Sequence, residues 1–67
     1  MKNIMSSREK EVFKLLVQNY STLQIASELG ISEKTVRNHI SNVIQKLGVN
    51  DRSQAIVESL RLNELEF

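Results

Sequence analysis

Apolar residues recur at helical spacing in four stretches of the chain, and each stretch follows a residue suited to cap a helix. The first sets Val12, Phe13, Leu16 and Val17 on one face, with Tyr20 just beyond, and predicts a helix over about 7–18. Ile25, Ala26 and Leu29 mark a short helix over about 22–29. Val36, Ile40, Val43, Ile44 and Leu47 form the stripe of a longer one over about 33–47. In the last, over about 52–62, Ala55 and Leu62 turn inward and Ile56 lies at the edge. No alternating strand pattern, repeat, linker or low-complexity segment interrupts them, so the 67 residues are expected to form a single all-α domain.

The punctuation between the stripes agrees. Ser6-Ser7-Arg8-Glu9 and Ser21-Thr22-Leu23-Gln24 fit capping boxes, and Asp51-Arg52-Ser53-Gln54 is a close variant. Ser32 is a simple N-cap, because Thr35 rather than an acid stands three residues on. Proline is absent, and Gly30 and Gly48 stand where a helix must stop and a positive φ is inexpensive. Leu23 falls off the stripe of its helix and is expected to be exposed.

A short capped helix, a glycine turn and a longer capped helix form the outline of a helix-turn-helix, which lays its second helix in the DNA major groove. On that helix the core stripe leaves Lys34, Asn38, Ser41 and Gln45 near the opposite side, with Arg37 and Asn42 on its flanks. Arginine matches the O6 and N7 acceptors of guanine, and Asn or Gln can pair with adenine. Lys34, Arg37, Asn38 and Ser41 are therefore the expected base contacts. Thr35, His39 and Lys46 run along one edge of the helix, where a phosphate backbone would pass, and Asn42 is assigned to the phosphates with them. Amides and hydroxyls at Thr22 and Ser32 add phosphate contacts from helix N-termini. A polar helix face is most often only a solvated one, but this one carries a single acid, Glu33, where an ordinary surface mixes signs more evenly.

Charge sharpens the picture. The net value of +1 hides eight Lys or Arg against five acids in residues 1–52, followed by Arg61 against Glu58, Glu64 and Glu66 in the remainder. The basic part is the expected DNA side, and the acidic end should face away from phosphates. Without cysteine, and with His39 as the lone histidine, the chain offers no disulfide or zinc set, and no metal or cofactor is expected. No carboxylate pair, Cys-His arrangement or phosphate loop points to an enzyme, and no small-molecule ligand is expected. No apolar run nears the roughly 18 residues of a membrane span, and Met1-Lys2-Asn3-Ile4-Met5 lacks the apolar centre of a secretory signal. The expected location is the cytoplasm, at the nucleoid.

The residues that carry these features also resemble a known family. Arg8-Glu9-Lys10-Glu11-Val12, Ile25-Ala26, Ile31-Ser32-Glu33-Lys34-Thr35-Val36-Arg37-Asn38-His39, Gln45-Lys46-Leu47-Gly48-Val49 and Arg52-Ser53-Gln54-Ala55 together resemble the DNA-binding domain of LuxR-type regulators over nearly the whole chain. The resemblance implies a four-helix helix-turn-helix domain that regulates transcription by sequence-specific binding to double-stranded DNA as a dimer through its fourth helix. It implies that Arg37, Asn38 and Ser41 face bases while Thr35 and His39 lie near the backbone. Through the stand-alone sporulation regulators among its members, it also implies sporulation genes as targets. Asn19 stands where most members carry Gly, and Leu23-Gln24 where Lys-Glu is typical. Met1 opens a short leader directly before the first cap, which favours a stand-alone protein without a receiver or ligand domain.

The fourth helix is apolar around more of its circumference than one small core can use, because Val57 and Leu60 extend the arc beyond about 100°. Val57, Leu60 and Arg61 are the expected contacts of a homodimer, whose operator would be approximately palindromic. RNA polymerase is a candidate partner for an activator, through exposed residues such as Lys10 and Lys14 or the C-terminal acids. The competing function is a protein-interaction module, which would bind DNA weakly and with little salt dependence.

Overall fold

The computed structural model describes residues 5–61, so Leu62, Glu64 and Glu66 lie outside the described residues. Four helices follow in order: α1 (Ser7–Val17), α2 (Thr22–Leu29), α3 (Glu33–Leu47) and α4 (Arg52–Arg61). The expected helices are all present. The first ends one residue earlier than its pattern suggested, because Gln18 has left helical geometry (φ −89°, ψ 10°).

Local chemistry sets each start. The Ser6 hydroxyl accepts the Glu9 N–H at 3.2 Å, while Glu9 Oε1 accepts the Ser6 N–H at 2.9 Å. Ser21 and Gln24 repeat this box at 3.1 and 2.8 Å. Ser32 caps α3 alone, accepting the Thr35 N–H at 3.1 Å. At α4 Asp51 accepts the Gln54 N–H at 2.9 Å, but Gln54 reaches back one residue further than expected, to the Asn50 N–H at 3.0 Å.

The three connections share one device. Asn19, Gly30 and Gly48 adopt left-handed φ of 72°, 68° and 68°. After each comes a half-buried apolar residue, Tyr20, Ile31 or Val49, whose N–H returns to a carbonyl of the preceding helix, on Leu15, Ala26 and Ile44 respectively. These are Schellman-type ends, which satisfy carbonyls that a helix terminus would otherwise leave open.

α3 is the centre of the packing. It meets each of the other helices, whereas α2 and α4 do not touch among the described residues. Val12, Phe13, Ile25, Val36, Val43 and Ala55 are fully buried, and Met5, Leu16, Ala26 and Ile40 nearly so. Val17, Leu29, Ile44 and Leu47, expected on the core stripes, are half-buried at its margin, as is Ile56, expected at the edge. Among the described residues two polar ones also lie inside. Ser59 donates to the Ala55 carbonyl at 2.7 Å and lies 3.6 Å from Met5 Sδ, so its hydroxyl is satisfied within its own helix. Glu9 is 4% exposed, and the oxygen that completes the α1 box also accepts from Lys46 Nζ at 2.7 Å. A buried carboxylate requires such a partner.

Candidate nucleic-acid interface

Because Val36, Ile40 and Val43 bind α3 to the core, the opposite side of this helix must face solvent. Lys34, Arg37, Asn38, Ser41, Asn42 and Gln45 are all exposed there, with the Arg37 side chain at 64%. Thr35 and His39 are half-buried along one edge. All four expected base contacts therefore share one open face. The N-termini of α2 and α3, carrying Thr22 and Ser32, are joined at the start of this face by a hydrogen bond from Thr22 Oγ1 to Glu33 Oε2 at 2.6 Å.

Several of the expected phosphate contacts have other partners in the free protein. The Thr22 hydroxyl is donated to Glu33. The Ser32 and Thr35 hydroxyls lie 2.8 Å apart while Ser32 also caps α3. Lys46 is exposed but lies against Glu9, which offsets its charge. What Thr22 and Ser32 can still present to an anion is the set of backbone amides opening α2 and α3.

Glu33 differs from its sequence reading. It is half-buried, and the oxygen that accepts from Thr22 also accepts from Arg37 Nη2 at 3.0 Å. The i,i+4 spacing of Glu33 and Arg37 is legible in the sequence, but the bond from Thr22 across the turn is not.

On α4, Val57 is 62% exposed and Leu60 45%. Val57 lines a shallow groove with Val49, Ser53, Gln54 and Glu58. Arg61 is exposed and forks onto Glu58 at 3.2 and 2.5 Å. Lys10 and Lys14 on α1 are half-buried rather than exposed. Leu23 is 67% exposed. Among the described residues no cluster of His, Cys, Asp or Glu could hold a metal, and no helix is long and apolar enough to cross a membrane.

Residues 3–59 match the luxR family of bacterial regulatory proteins. The chain is 68% identical to the spore germination protein GerE of Bacillus subtilis strain 168 over 66 residues, covering 98% of this chain and 89% of that protein. It is 52% identical to the transcriptional regulatory protein DegU of Brevibacillus brevis over 59 residues, covering 88% of this chain but only 25% of DegU. The solved structure of the transcription factor GerE superposes with a TM-score of 0.93 at 63% identity over 97% of both chains. Sequence, fold and exposed α3 face agree: the chain belongs to the LuxR family of bacterial regulatory proteins and is a GerE-type transcription regulator that binds DNA through its helix-turn-helix.

Proposed function

We propose that two copies of the chain bind an approximately palindromic operator, each laying α3 in the major groove of one half-site. The observation that carries this reading is the single open face of α3, where Lys34, Arg37, Asn38 and Ser41 stand opposite the buried Val36, Ile40 and Val43. In this arrangement those four residues meet base edges, with Arg37 on a guanine. Thr35, His39 and Asn42 meet phosphate along the edge of the helix, and Thr22 and Ser32 do so through helix-terminal amides. Lys46 contributes to the phosphate field less than a lone lysine would, since Glu9 lies against it.

The exposed Val57 and Leu60 support α4 as the surface between the two copies, with Arg61 at its rim. An isologous pairing of that kind matches the two-fold symmetry of a palindrome. The 68% identity to a spore germination protein supports sporulation genes as targets, in the cytoplasm at the nucleoid. RNA polymerase is the further partner if the regulator activates.

Selection of binding sites from random duplex DNA, at two salt concentrations, tests the whole reading. The expected result is a palindromic consensus whose affinity falls steeply with salt, with a slope set by the phosphates contacted. A folded protein that enriches no sequence would overturn it in favour of a protein-interaction module.

A further inference from the structure

Glu33 is the one acid of α3, and it stands at the start of the face proposed to meet DNA. Near phosphates a carboxylate is repelled, so the position calls for a compensating use. An exposed i,i+4 ion pair contributes little to stability and does not supply one. The geometry does. A single carboxylate oxygen, Glu33 Oε2, accepts the Thr22 hydroxyl at 2.6 Å and Arg37 Nη2 at 3.0 Å. Thr22 belongs to α2, so the carboxylate is fixed from outside its own helix. Arg37, although 64% exposed, is thereby held by one corner of its guanidinium. A guanidinium is a rigid planar fork, and tethering one nitrogen orients the plane while leaving its other donors to meet a base edge.

We infer that Glu33, anchored by Thr22, is a positioning residue that orients Arg37 for base discrimination; this rests on the reading of Arg37 as a base contact. Glu33 sharpens the choice of one base pair and slightly weakens binding to DNA in general. These two effects have opposite signs, and a structural brace would not produce both.

The test compares wild-type protein with Glu33→Gln, Thr22→Val, Thr22→Ser and Arg37→Ala, each first confirmed as helical by circular dichroism. Fluorescence anisotropy measures affinity for the selected operator, for operators altered at single base pairs, and for unrelated duplex. Arg37→Ala identifies the base pair that Arg37 reads. At that pair Glu33→Gln and Thr22→Val should each lower discrimination by about fivefold, a fraction of what a bidentate contact supplies. Discrimination at other pairs should be unchanged, and Glu33→Gln should bind unrelated duplex more tightly. Thr22→Ser, which restores the hydroxyl, should restore discrimination. If Arg37→Ala relaxes one base pair while Glu33→Gln and Thr22→Val leave it sharp, the inference fails and the base contact survives. Equal loss at every base pair with a lower melting temperature would also overturn it, in favour of a brace. If Arg37→Ala relaxes nothing, the underlying reading of Arg37 falls, and the inference with it.

Discussion

Glu9 shows how much one side chain can be asked to do in a small domain. It completes the α1 cap, stays almost fully buried and takes the charge of Lys46. Burial alone would raise its pKa, but hydrogen bonds from Lys46 and the Ser6 amide, with the charges of Lys46 and His39, outweigh it and hold the pKa below the ordinary glutamate value. On acidification the unfolded chain therefore takes up this proton first. Ionised Glu9 contributes stability at neutral pH, and that contribution is lost as pH falls from about 4.3 through the lowered folded value. Glu9→Gln keeps an acceptor for Ser6 but loses the charge. It should cost about 1 kcal/mol at pH 7, because Lys46 is open to solvent, and should flatten the acid side of a urea-denaturation stability profile. Arg37, the proposed base contact, poses the complementary case, an exposed side chain expected to matter for recognition and little for folding. Arg37→Ala should leave the helical circular-dichroism signal intact, cost about 1 to 3 kcal/mol in operator binding and relax the choice of base at one position; unchanged discrimination would refute its assignment.

At the scale of elements, the ends of the helices hold the domain in register. A methyl group placed on Gly48 would meet nothing within 4 Å, so Gly48→Ala isolates backbone strain. It should cost about 1 kcal/mol in thermal or urea unfolding. Asn19 holds the same left-handed geometry with a side chain that tolerates it, so Asn19→Gly should be nearly neutral and Asn19→Val should cost about 1–2 kcal/mol. These ends were readable in the sequence because capping boxes, stop residues and helical stripes all act within a few positions. The bonds that were not readable join residues far apart in the chain: Thr22 to Glu33 over 11 positions, Glu9 to Lys46 over 37 and Met5 to Ser59 over 54. For that reason the sequence shows neither the hold on Glu33 nor the partner of Lys46, and it gives no sign that Ser59 is buried. The exposed face of α3 was legible, since it follows from periodicity alone, whereas the anchoring of Arg37 required the tertiary structure.

The described residues measure 30 × 24 × 20 Å, and half-sites one helical turn apart are separated by roughly 34 Å. One copy offers a single α3, so reading two half-sites takes two copies. Leu60→Asp puts a charge at the centre of the proposed seam, and sedimentation should show a shift to monomer with weaker operator binding; a variant that stayed dimeric would sink the α4 interface. How such a body would engage DNA follows from its connections, which span only residues 18–21, 30–32 and 48–51 and are closed by the helix-end hydrogen bonds. Loops this short leave little backbone entropy to surrender on docking. The ordering cost of recognition then falls on long, open side chains such as Lys34, and the fold can arrive at the groove as an already assembled rigid body.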